Sequence, residues 1–230
     1  MERIDASTVG GTTMGVAKRA TLVAVKVLSD DGSGSIANIG LGIEYAVNDA
    51  KRRNAKAVIN MSLGGGASTA FDEMCNDAVR EGVTMVVAAG NSGADACSES
   101  PARAADVISV AASDSRDDLA SFSNHGRCVD IIAPGVGVLG ARTKTNSGSV
   151  AYSGTSMAAP HVAGAVAVFL GNQSGNPTPA EVREWLETNA SEGKINVPTA
   201  SRPGASCCQT TTRNCNNKCH TVNKLLYVGC

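Results

Sequence analysis

Residues 55–91 read AKAVINMSLGGGASTAFDEMCNDAVREGVTMVVAAGN. The stretch opens on a short apolar run, AKAVINMSL (55–63), and breaks at three glycines. It then passes through residues 68–81, whose spacing is helical, and closes on VTMVVAAG (83–90). Short apolar runs without polar alternation predict strands buried on both faces. A helix between two such strands argues for a parallel sheet with helices packed over it.

The same alternation continues in both directions. TLVAVKVL (21–28) predicts an earlier buried strand, broken by DDGSGS (30–35). Residues 36–53 carry Ile36, Ile39, Ile43, Ala46 and Val47 at helical spacing. They end on Lys51, Arg52 and Arg53, which suits a helix C-terminus. DVISVAAS (106–113) and VDIIAP (129–134) predict two more strands. Residues 155–171 predict an apolar helix of small residues, and PTPAEVREWLETNA (177–190) a surface helix. NKLLYVGC (223–230) predicts a closing strand. The expected fold is therefore α/β, three-layered, with a mostly parallel sheet. Ligands of such sheets bind at the carboxyl ends of strands, where DDGSG, SLGGG and AAGN lie.

Composition narrows the function. A chain of 230 residues with 43% hydrophobic residues suits one domain with a large core. Twenty basic residues against 21 acidic ones leave no basic face for nucleic acid. No apolar run approaches the ~20 residues of a membrane span. Of eight cysteines, Cys75, Cys97 and Cys128 lie in the body and five fall in 207–230. Cys208, Cys215, Cys219 and His220 lack the paired C-x2-C spacing of common zinc sites, so disulfides in a secreted protein are the favoured reading. Yet the start, MERIDASTVGG, has no apolar leader.

Two residues stand out as chemistry. Ser156 sits in YSGTSMAAPHVAG (152–164), at the mouth of the apolar helix. A serine there reads as an N-cap or as a nucleophile, and a helix N-terminus favours developing negative charge. Asn91 follows VVAAG. It reads as a turn residue or as a side-chain amide aimed at an oxyanion.

Together, GTSMAAPHVAG, SLGGG, AAGNSGADAC, SPAR and SFSNHG, in this order, resemble the subtilisin-like serine proteases of the proteinase K and aqualysin branch. The likeness runs from about Ala6 to beyond His161, and NKLLYVGC is similar to the branch's closing strand. It implies a subtilisin-like peptidase domain over 1–230 lacking its N-terminal part, with a Cys-rich insertion at 201–222. It implies a serine endopeptidase working through an acyl-enzyme, with Ser156 as nucleophile and Asn91 as oxyanion donor. Gly32, Ser33 and Gly34, with Ser62, Leu63 and Gly64, would be the two edges that hold an extended peptide. Ala88, Ala89 and Gly90 would line an open, apolar pocket of broad specificity. The implied partners are polypeptide substrates and a propeptide inhibitor, with no nucleic acid and no membrane. The implied state is a secreted monomer.

The resemblance also implies an Asp and a His before ASTVGG, the His in a His-Gly-Thr-His block. Residues Met1–Asp5 stand in that place. His161, five residues after Ser156, points roughly 140° away on a helix. His125 matches a tyrosine position of the family, and His220 lies in the Cys-rich tail. The chain as given is therefore expected to be inactive alone, and to aggregate or stay partly disordered. Three readings stand: a piece of an active protease, a peptide-binding pseudoprotease, or an unrelated α/β binding protein. The resemblance further implies a Cys97–Cys128 disulfide. It also implies a structural Ca²⁺ on Asp130 and the main-chain oxygens of Ala105 and Val107, with no catalytic cofactor. A solvated or capping Asp130 is the alternative.

Overall fold

A computed structural model describes residues 2–142, 147–197 and 222–227. The Cys-rich segment 201–222, His220 and the last three residues of the expected closing strand fall almost wholly outside the described residues. The described elements run α1 (Glu2–Gly10), α2 (Ile36–Arg53), β1 (Val58–Met61), β2 (Gly65–Gly66), α3 (Thr69–Arg80) and β3 (Thr84–Ala88). After a 3-10 turn at Ala96–Ser98 come β4 (Glu99–Ser100), β5 (Ile108–Ser113), β6 (Ile131–Pro134), β7 (Val138–Ala141) and β8 (Ser149–Tyr152). Then follow α4 (Thr155–Asn172), α5 (Pro179–Asn189), β9 (Ser191–Glu192) and β10 (Lys224–Leu225).

The main sheet has the order β1-β3-β5-β6-β10-β9, parallel except at the β10–β9 edge. Val58 pairs with Thr84, Val86 with Ile108, and Val110 with Ile131. Strand alternation splits the core into two sides. Val86, Ala88, Val110 and Ala112 face α4 and α5 through Val162, Val166, Val182 and Leu186. Met85 and Val87 face α2 and α3 through Ile39, Ile43, Val47 and Phe71. The architecture is thus three-layered α/β, as the alternation of runs predicted.

Local chemistry sets the helix ends. Ser35 and Ser68 cap α2 and α3, each accepting a backbone N–H with its hydroxyl. Thr178 and Glu181 form a reciprocal capping box on α5. Asn54, left-handed at φ 49°, ends α2 after its three basic residues. On α4, a methyl group at Gly164 would lie 2.7 Å from Val16 Cβ, so small size there lets the 11–17 loop pack on the helix.

Two parts differ from expectation. Residues 21–28 pair with no strand among the described residues, and Leu22 and Val23 are 46% exposed. The run is not one of the strands of the main sheet, whose edge at one end is β1. Its far end still packs, through Val27 and Leu28, against the α2–α3 core. Glu2–Gly10, which joins the residues standing in place of the expected His block to the start of ASTVGG, forms α1, whose Ile4 and Val9 are buried. The β7–β8 hairpin has no clear signal in the sequence. Its partners Val138–Ala141 and Ser149–Tyr152 carry no strong turn dipeptide within a short loop.

The expected disulfide is present: Cys97 and Cys128 are bonded, with Cα atoms 5.2 Å apart. Cys75 is a free thiol with no exposed surface, and burial pushes its pKa up to about 12, so it stays protonated and inert.

Candidate active site

The site forms where the carboxyl ends of β1 and β3 meet the N-terminus of α4. Thr155 starts α4 with its side chain fully buried, and Ser156 is 9% exposed. Asn91 Oδ1 accepts from Thr155 N (2.8 Å) and from Thr155 Oγ1 (3.0 Å). Because that oxygen takes both protons, the amide is oriented and Nδ2 faces the other way. Thr155 Oγ1 in turn accepts from Gly90 N at 3.2 Å. The strand end at Gly90 and the helix start at Thr155 are thereby locked together.

Two donors converge next to Gly154. A methyl carbon placed on Gly154 would lie 3.7 Å from Ser156 N and 3.8 Å from Asn91 Nδ2, with Asn91 Oδ1, already accepting from Thr155, at 3.6 Å. One N–H comes from the unbonded first turn of a helix, the other from a fixed amide. Such a pair is able to hold a developing oxyanion.

Ser62 ties β1 to the same point. Pro160 has no N–H, so the Ser156 carbonyl four residues earlier lacks its helical partner. Ser62 Oγ donates to that carbonyl at 2.9 Å, and Ser156 Oγ donates to the Ser62 carbonyl at 3.3 Å. The serine proton therefore rests on a backbone oxygen. Neither described histidine bonds to Ser156. His161 Nδ1 lies 2.9 Å from Met157 O, which as a carbonyl only accepts, so Nδ1 carries the proton. Burial first of all lowers the His161 pKa. His125 shares an isolated β-bridge with Asp95.

The loop carrying Asn91 hangs on a residue that sequence reading passed over. Asn124 is fully buried. Its Oδ1 accepts from Ser92 N and Ala94 N, both at 3.0 Å, and its Nδ2 donates to Ala89 O at 2.9 Å. An asparagine within SFSNHG is a recognisable signal for backbone bonding, though its partners lie some 30 residues away.

The two expected edges are accessible. Gly32, Ser33, Gly34 and Gly64 are exposed, while Ser62 and Leu63 are half-buried. Asp31 shapes the first edge: hydroxyls of Ser29 and Ser33 and the Ser33 N–H bond its carboxylate and push its pKa down to about 2. Ala88 and Ala89 are buried in the core, so what borders Gly90 is Asn124 and the Glu99 carboxylate.

The residues expected to hold Ca²⁺ do not fit one as arranged. Arg183 on α5 donates to Asp130 Oδ1 (2.7 Å), to Val107 O (2.5 Å) and to Asp106 O (3.2 Å). Asp130 Oδ2 accepts from Ser109 N at 2.8 Å. A guanidinium already stands on the carboxylate and on one of the two carbonyls named for the metal. Among the described residues no group of three or more His, Cys, Asp or Glu is placed to hold a metal ion.

The chain is similar to known proteins in sequence and fold. Residues 4–218 match the family described as the subtilase family. The chain is a subtilase. This subtilase is 50% identical over 181 residues to the extracellular serine proteinase of Thermus sp. (strain Rt41A), covering 79% of the chain and 43% of that protein. It is 42% identical over 222 residues to alkaline serine exoprotease A of Vibrio alginolyticus, covering 96% of the chain and 37% of that protein. A crystal structure of a cold adapted subtilisin-like serine proteinase superposes with a TM-score of 0.81 at 39% identity, covering 97% of this chain and 72% of that one. The subtilase thus spans less than half the length of these two sequence relatives. No helix among its described residues is long and apolar enough to cross a membrane.

Proposed function

We propose that this chain is the nucleophile-bearing part of a secreted serine endopeptidase. The observation that supports the reading is that the Asn91 side-chain amide and Ser156 N, at the start of the helix bearing Ser156, lie around the same point beside Gly154. An extended peptide lies between the 32–34 and 62–64 edges, its residue before the cut bond beside Ala88–Gly90. Ser156 Oγ attacks the carbonyl carbon and gives its proton to a base. The oxyanion rests on Asn91 Nδ2 and Ser156 N–H. Collapse breaks the C–N bond, the amine leaves with the proton, and water then releases the acid from the acyl-serine. Ser156 Oγ bonds Ser62 O and His161 bonds Met157 O, which supports the expectation that the chain alone is inactive. Polypeptide substrates and an inhibitory propeptide accord with the subtilase family, and secretion accords with the disulfide and the name of the Thermus relative.

A second reading, a peptide-binding pseudoprotease, is favoured by the Ser156 hydroxyl resting on Ser62 O. One experiment separates them. Protein from its natural source, in full length, is treated with a fluorophosphonate and mapped by mass spectrometry. An adduct on Ser156 that is lost in Ser156→Ala supports the endopeptidase. An unlabelled Ser156 in protein that still binds peptides supports the pseudoprotease.

A further inference from the structure

The carboxylate beside Gly90 has no part in the hydrolysis just described. Glu99 begins β4, which pairs antiparallel with β2 so that Glu99 lies opposite Gly66. β2 directly continues the Ser62–Gly64 edge. Gly90 has φ +106°, and a methyl group on it would lie 2.4 Å from Glu99 Oε2. The next residue is Asn91. The carboxylate therefore sits one residue from the oxyanion donor, between the peptide-holding edge and the strand end assigned to the side chain before the cut bond.

Its surroundings leave the charge available. Ser92 Oγ donates to Oε1 at 2.8 Å and fixes the group. Oε2 has no hydrogen bond, and Glu99 no ion pair, among the described residues. Arg103, the cation one turn onward, is held by Asp72 at 2.9 Å. Gly65 and Gly66 have open space where a side chain would stand, which leaves room for a long aliphatic stem. A partly buried carboxylate attracts a cation more strongly than one in bulk water and repels an anion.

We propose that Glu99 makes the pocket beside Gly90 select a cationic residue, lysine or arginine, immediately before the cut bond. The inference rests on the endopeptidase reading and narrows it, replacing broad apolar specificity with a charge preference. A lysine or arginine stem lies along the glycine strand and its cation reaches Oε2.

The test uses the full-length natural protein and a peptide series differing only in the residue before the cut bond: Lys, Arg, Leu, Phe or Glu. kcat/KM for Lys and Arg is expected to exceed that for Leu by about tenfold or more. Glu99→Gln brings the Lys-to-Leu ratio close to one, and Glu99→Lys favours the Glu peptide. Sodium chloride shrinks the ratio in the parent only. A ratio is read, so a variant that folds in reduced yield still reports. Cleavage of the Leu peptide without a Lys or Arg preference, or a preference that survives Glu99→Gln, overturns the role of Glu99 and leaves the endopeptidase standing. No cleavage of any peptide, with Ser156 unlabelled by fluorophosphonate, overturns both.

Discussion

Arg183 offers the sharpest test of how this subtilase holds its sheet to α5. Its guanidinium spans Asp130 Oδ1 and the carbonyls of Val107 and Asp106. Arg183→Ala removes those bonds at once. Losing one partner of a buried pair costs about 3–5 kcal/mol. Here the side chains of Arg183 and Asp130 are 25% and 14% exposed, and Asp130 keeps the Ser109 N–H. Partial solvation brings the expected loss to about 2–3 kcal/mol. For a domain of this size that lowers Tm by about 5–10 °C. The assay is thermal melting of the full-length protein with chelator or with millimolar Ca²⁺. The parent is expected to show the same calcium response as Asp130→Asn, because the cation at this point is the guanidinium. Arg183→Ala exposes a carboxylate and carbonyls to a hard cation, so Ca²⁺ is expected to restore part of its lost stability. An unchanged Tm in Arg183→Ala refutes the reasoning. So does a calcium-dependent rise in the parent that Asp130→Asn abolishes.

Two further outcomes are expected. Asn124→Ala strands the N–H groups of Ser92 and Ala94 and the carbonyl of Ala89, costing about 2–3 kcal/mol by denaturant melts, and kcat falls more than KM rises because Asn91 loses its fixed loop. His161 has its folded pKa lowered below the ordinary 6.5, so the unfolded chain takes up the proton first. Its contribution is whole above pH 6.5 and is lost as pH falls below that value. His161→Leu should flatten that part of the stability–pH curve, and an unchanged acid limb would contradict the assignment.

Much of the fold was legible because each buried element leaves its own period. The span 55–91 predicted β1, α3 and β3 within a few residues, since core-facing strands lack polar alternation and α3 has a polar outer face. TLVAVKVL carried the same signal and formed no strand. Its composition states what the segment buries when paired, but pairing is settled by neighbours that a local window does not contain. The site divided in the same way. Ser156 and Asn91 were marked by turn and helix-start chemistry. Asn124 and Arg183 act through partners far along the chain, where spacing is silent.

Pro160 shows a long-range tie that local rules could have exposed. A proline four residues after a candidate nucleophile leaves that residue's carbonyl unbonded inside an apolar helix. A buried carbonyl must find another donor, and only a hydroxyl or amide from a neighbouring element can reach it. Ser62, at the end of β1, is that donor. The same exchange brings the Ser62 carbonyl against Ser156 Oγ. The edge proposed to grip a peptide and the serine proposed to cut it are thus set in mutual register by a missing N–H, before any substrate arrives.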